Sequence, residues 1–191
     1  MITLLTATFL SVTPPQPISA LPPVPPPPVE HGLETRGDFV QVAIAAILND
    51  GVGNQVVMLK TPVEDKPYVP VWIGEIEALN ITLRMRRIES PRPMTLDLLE
   101  SVMENTGVKL VEVKIDDLQN GVFLGKIVLK QEGKDVTCEL DARPSDAMGL
   151  AAGAGVKIWM KKNVVERVGV SPGDLDKASE PPPNRPTQET L

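Results

Sequence analysis

Residues 138–155 read CELDARPSDAMGLAAGAG, and the change of character inside this stretch decides how the rest of the chain is divided. Up to Ala142 apolar and polar residues run together as in a strand, and from Pro144 small helix formers take over. Pro144 suits the switch, because the first position of a helix is where an N–H would have no partner. Asp146 then falls in the first turn, beside the positive end of the helix, and Ser145 is placed to satisfy a free amide. Gly153 and Gly155 come at the far end and suit a C-cap, whereas a phosphate-binding glycine loop would precede its helix. The spacing predicts a strand ending at 142, a helix over 144–154 and a short strand over 157–160.

Working outward, residues 38–48 (DFVQVAIAAIL) and 55–60 (QVVMLK) are β-rich runs separated by NDGVGN, whose Asn, Asp and Gly residues suit a hairpin. Residues 66–74 (KPYVPVWIG) make a third strand. The next stretch, EIEALNITLRMRRI over 75–88, places Ile76, Leu79 and Leu83 at helical spacing with Asn80 among them, and its leading glutamates favour a helix N-terminus. SPRP stops that helix. Thr95 and Asp97 open a second one, with Leu98, Leu99, Val102 and Met103 as its apolar face and Gly107 as its C-cap. Three strands follow over 108–118, 121–131 and 134–142, joined by QNG and QEGK turns, and residues 163–169 (NVVERVG) read as a final helical turn. Consecutive hairpins imply antiparallel pairing. The expected fold is a single compact α+β domain of mostly antiparallel strands with three to four helices.

The 191 residues suffice for one ordinary domain with extra chain at the ends, and nine of the 20 prolines fall within the first 28 residues. Residues 1–20 hold a short apolar stretch ending in the small-residue ISA, in the manner of an export signal, although the basic start of such a signal is missing. Export to a periplasmic or extracellular location is the expectation, with a cytoplasmic one as the alternative. A Pro-rich linker completes residues 1–37, the domain is expected over 38–170, and residues 171–191 read as a disordered tail. No stretch is long and apolar enough for a transmembrane helix.

Net charge is −6 with a pI near 4.9, so there is no general electrostatic pull toward nucleic acid or anionic membrane. Residues 36–177 carry 18 basic against 21 acidic side chains, a near balance, and any polyanion would need a local patch. Cys138 is the only cysteine, which excludes an intramolecular disulfide and a thiolate metal cluster. His31 is the only histidine and lies in the Pro-rich leader, so histidine-based nucleophilic or general-base catalysis is excluded from the domain. What remains for hydrolytic chemistry is metal plus carboxylate. Asp141 and Asp146 are candidates for holding Mg²⁺ or Mn²⁺ that activates water, with Arg143 gripping a phosphate. The competing reading of the same residues is a capped helix start in which Arg143 bridges one or both aspartates.

PVWIGEIEALNI, PRPMTLDLLESVMENTGVKLVEVKIDDLQNGVFLGKIVL and ELDARPSDAMGLAAGAGVKIWM occur in one order over residues 38–170, and in this the chain resembles the bifunctional nuclease (BFN) domain family. The resemblance implies an α+β domain, often a homo-oligomer, with DNase and RNase activity on phosphodiester bonds. By position it singles out Glu77, Asp97, Asp141 and Asp146 as candidate catalytic residues and Arg92, Thr95, Arg143 and Ser145 as candidate phosphate ligands. Glu75 and Glu77 diverge by about 200° on a helix, so only one can face a site, and the motif favours Glu77. Where family members usually carry His, Thr and Tyr, this chain has Leu96, Val122 and Leu124.

Arg84, Arg86, Arg87 and Arg92 form the one concentrated basic patch, with Arg84 and Arg87 on one helical face as candidates for tracking a nucleic-acid backbone. Their plain alternative is a solvated helix face paired with Glu89 and its neighbours. Trp72, Phe123 and Trp159 sit on expected strands and read as core. Two other function classes stay open: a non-catalytic module that binds a phosphate ligand or a protein, and a structural oligomeric scaffold.

Overall fold

The computed structural model describes residues 32–50, 53–171 and 174; the signal-like stretch 1–20, the rest of the leader to residue 31 and nearly all of the tail lie outside the described residues. The elements run β1 (Thr35–Arg36), β2 (Phe39–Asn49), β3 (Gln55–Lys60), β4 (Tyr68–Ile73), α1 (Glu75–Met85), α2 (Thr95–Asn105), β5 (Val108–Gln119), β6 (Val122–Gln131), β7 (Thr137–Ala142), α3 (Pro144–Ala154), β8 (Lys157–Lys161) and α4 (Lys162–Val168). The α+β class is as expected. β1 lies inside the stretch expected to be linker, and it pairs with β2 through Thr35 opposite Val40 and Arg36 opposite Phe39.

The sheet has the order β4-β3-β2-β8-β5-β6-β7, with β1 added beside β2. Every pairing is antiparallel except that of β5 with β8, which enters the sheet after the α3 crossover and runs parallel to β5. Pro70 fits β4 because an edge strand does not need every N–H. The two-residue periodicity of β2 puts Val40, Val42 and Ile44 into the core. On β5, Val113 and Ile115 point inward while Glu112, Lys114 and Asp116 occupy the other face. Asn120 and Gly121 turn the β5–β6 hairpin with φ of 50° and 80°, values that the QNG stretch accommodates with Asn and Gly.

Two helix faces differ from expectation. On α1 the buried residues are Ala78, Ile81 and Thr82, while Ile76 is exposed. On α2 they are Leu96 and Met103, while Leu98 and Val102 are exposed. The reason is close approach to α3. That helix is buried from Ser145 through Ala151 save Asp146, and its Gly149 is so near α2 that an added Cβ would stand 2.5 Å from Leu96 Cδ1. Small side chains win contact positions where backbones crowd, and the larger apolar ones are turned outward. Gly153 likewise leaves the space that the Arg84 guanidinium fills.

The sheet face away from α3 carries a charged ladder. Arg36 donates to both oxygens of Glu112 at 2.9 and 2.8 Å and lies 4.2 Å from the ring centroid of buried Trp159. Lys114 pairs with Glu139, and Lys126 with Asp116. The hydrogen bonds from Arg36, against a smaller opposing effect of burial, hold the Glu112 carboxyl below its ordinary value of 4.5. A lowered carboxyl pKa contributes stability that is complete above the ordinary value and is lost as pH falls through the folded one. Glu112→Gln is therefore expected to be less stable than the wild type near pH 7 and to lose less between about pH 5 and pH 2, measured by urea unfolding across that range. Parallel stability curves would show that the pair contributes nothing.

Candidate active site

β7 runs straight into α3 at Arg143, whose extended backbone (φ −63°, ψ 143°) is the N-cap and whose successor Pro144 is the first helical residue, as the sequence implies. The junction presses on β6. A Cβ on Gly125 would come 2.8 Å from the Ala142 carbonyl oxygen and 3.3 Å from Pro144 Cα, so only glycine permits this approach. On the other side β4 runs into α1 in the same fashion, with Gly74 as N-cap. Four strands separate β4 from β6 in the sheet order, yet the sheet curls enough for both to line one cavity of about 460 Å³. Its walls come from residues 71–74 with Glu77, from residues 120–124 at the hairpin, and from residues 141–145 at the junction.

Arg143 stands at this cavity as the centre of an ion triad. Its Nε and Nη2 donate to Asp146 Oδ2 and Oδ1 at 2.8 and 3.1 Å, and its Nη1 donates to Glu77 Oε1 at 3.0 Å. Asp146, with Glu77 as a lesser contributor, raises the guanidinium pKa further above its ordinary value. Three of the five N–H donors of an arginine are thus used, and with 66% of the side chain exposed the remaining two face outward, free to grip an anion. The N-termini of α1 and α3 both open on the cavity and add their positive ends. Ser145 lines the same cavity and is only 8% exposed, yet its hydroxyl makes no hydrogen bond among the described residues. The expected Ser145 cap on a free amide is absent.

The two aspartates of the opening stretch have different surroundings. Asp146 gives both oxygens to Arg143, while Asp141 makes neither a hydrogen bond nor an ion pair among the described residues and acts at longer range on Lys126, its partner across the β6–β7 ladder. Arg143 thus bridges Asp146 and Glu77 and leaves Asp141 aside. Among the described residues no three His, Cys, Asp or Glu side chains are grouped to hold an ion. Glu77 and Asp141 are the carboxylates that line the cavity.

The remaining candidates lie outside the cavity walls. Asp97 accepts the backbone N–H of Met94 at 2.8 Å on Oδ2, closing the start of α2, and its Oδ1 pairs with Arg84. Arg84 corrects the expectation of a surface patch: its side chain is 8% exposed, it donates through Nε to the Gly149 carbonyl at 2.8 Å, and it pairs with Asp97 and Glu100. An arginine committed to holding three helices together cannot track a phosphate backbone. Arg87, Arg92 and Thr95 are exposed beyond the end of α1 and at the start of α2. Leu96, at the family's His position, packs against Gly149 in the core, whereas Val122 and Leu124 line the cavity. Trp159 is buried as expected, but Trp72 and Phe123 line the cavity and are only partly buried. Their place in the two motifs PVWIG and GVFLG was the one signal that pointed to them.

The family model of the bifunctional nuclease domain matches residues 57–173. This chain belongs to the bifunctional nuclease domain family. Its BFN domain is 34% identical over 130 residues to an uncharacterized protein of Mycobacterium tuberculosis, an alignment that covers 68% of this chain and 76% of that one. It is also similar, at 23% identity over 124 residues, to bifunctional nuclease 1 of Oryza sativa and to a bifunctional nuclease of Oryza minuta. The alignment takes in 64% of this chain and only 38% of each of these plant proteins.

Proposed function

We propose that this BFN domain hydrolyses phosphodiester bonds of DNA or RNA in the cavity beside Arg143. The observation that carries the reading is the Arg143 guanidinium, held in place by Asp146 and Glu77 with two donors left over at a cavity where two helices begin. In that position it binds and orients a phosphate bidentately and stabilises the charge that builds on its oxygens. Ser145 supplies a hydroxyl for a further phosphate oxygen. Asp146 positions Arg143 and touches no substrate.

The donor set fits a Mg²⁺ or Mn²⁺ ion of the kind that takes one or two carboxylates and completes its shell with water and substrate phosphate. Glu77 and Asp141 are the residues that would hold it, in place of the Asp141 and Asp146 pair expected from the sequence, because Asp146 is committed to Arg143. When bound, such an ion lowers the pKa of a water and neutralises phosphate charge. Cleavage of labelled single- and double-stranded DNA and RNA by the full chain, with Mg²⁺, Mn²⁺ or EDTA, tests the activity. Thermal stabilisation by Mn²⁺ is expected to disappear in Asp141→Asn and Glu77→Gln and to persist in Asp146→Asn; persistence in the first two would overturn the assignment of the ion.

A second reading has its own support. Val122 and Leu124 line the cavity as apolar residues, which favours a module that binds a phosphate-bearing ligand without turning it over. Salt-sensitive binding of an oligonucleotide with no cleavage under any metal would select it.

A further inference from the structure

The cavity is built for more than a phosphate. The chain has only six aromatic residues, and two of them, Trp72 on β4 and Phe123 on β6, line this one space from strands that lie far apart in the sheet order. Both are partly buried, so each ring presents some surface to the cavity while being held by the sheet behind it. Val71, Val122 and Leu124 make the rest of the wall apolar. Bidentate phosphate capture by Arg143 needs none of this. An apolar space of about 460 Å³ with aromatic walls, next to an anion grip, suits a flat ligand whose faces are apolar and whose edge is polar. The buried Ser145 hydroxyl, without a hydrogen-bond partner among the described residues, meets such an edge.

We infer that the cavity receives one unpaired nucleobase of a nucleic-acid strand against Trp72 and Phe123, with the neighbouring phosphate on Arg143. In a duplex the faces of every base are covered by its stacked neighbours, so a base must be unpaired or extruded to lie against an aromatic ring. The substrate class is therefore single-stranded DNA or RNA. This inference rests on the proposed reading of the site as one for nucleic acid, and goes beyond it in assigning the base, not the backbone alone, as a recognised group.

Calorimetric titration of the full chain with adenosine 5′-monophosphate and with ribose 5-phosphate separates the base from the phosphate. The nucleotide is expected to bind about tenfold or more tightly than the sugar phosphate, Phe123→Ala is expected to remove that advantage, and Phe123→Tyr, which keeps the ring, is expected to restore it. Circular dichroism of each variant reports whether it folds, and the wild-type comparison needs no variant. Equal affinity for the two ligands, or no binding of the nucleotide, overturns the base site. Cleavage by the same preparation keeps the two ideas apart: duplex and single strand cut at equal rates would remove the base site and leave the nuclease, whereas a nucleotide preference with no cleavage would keep the base site and remove the nuclease.

Discussion

Arg143→Ala is expected to lower kcat/KM for oligonucleotide cleavage by about 10²–10³-fold, the loss seen when one positioned donor to a developing oxyanion is removed. Its cost in stability is expected to be small, a melting temperature within about 2 °C of the wild type, because the side chain is 66% exposed and exposed ion pairs contribute about 0–1 kcal/mol. The contrast between the two effects is the test, since a residue that only closes a helix start would show neither. Arg143→Lys adds a further arm. A lysine keeps the charge but has no planar fork, so it cannot hold Asp146 with two nitrogens, reach Glu77 and still present two donors to a phosphate. Most of the activity is expected to stay lost in it. Cleavage by Arg143→Ala within about threefold of the wild type would move the site elsewhere.

The second large effect falls on stability. Arg84→Ala is expected to destabilise the domain by about 2–4 kcal/mol, read by urea unfolding, and to lower the melting temperature by roughly 10 °C. The guanidinium is nearly buried where α1, α2 and α3 meet, and removing it leaves Asp97, Glu100 and the Gly149 carbonyl without their partner. Asp97 and Glu100 keep some access to solvent, which places the expected loss below that of a fully buried pair. Below its melting temperature the variant is expected to cut oligonucleotides as the wild type does, because Arg84 lines no part of the cavity. A variant of wild-type stability that has lost binding to single strands would restore Arg84 to the substrate.

These two arginines show how differently a charged residue can be read along the chain. Arg143 was legible: a proline at the first helical position fixes where α3 begins, and the residue before it must then stand at the strand-to-helix junction beside the first-turn Asp146. Arg84 was not, since helical spacing puts it on one face with Arg87 without stating what lies opposite that face. The answer is in Gly149 and Gly153, whose missing side chains open the path for its stem and head. The same glycines explain the misread faces of α1 and α2. Hydrophobic spacing ranks Ile76, Leu98 and Val102 as core, but contact between closely packed helices is decided by which side chains are small enough.

By itself the sequence determined the elements and most of their ends, because alternation, helical spacing, Pro144, Gly107, Gly155 and the QNG turn act through the local backbone. It also excluded histidine and thiolate chemistry from the domain, which is a matter of composition. The tertiary structure alone decided which charged groups meet. Glu77 and Arg143 are 66 residues apart and touch only because β4 and β7 each end at the same cavity. It decided, too, that Trp72 and Phe123 stand around a space and not in the core, since the curl that brings the two ends of the sheet together is summed over many strand-to-strand twists and is written in no single stretch of residues.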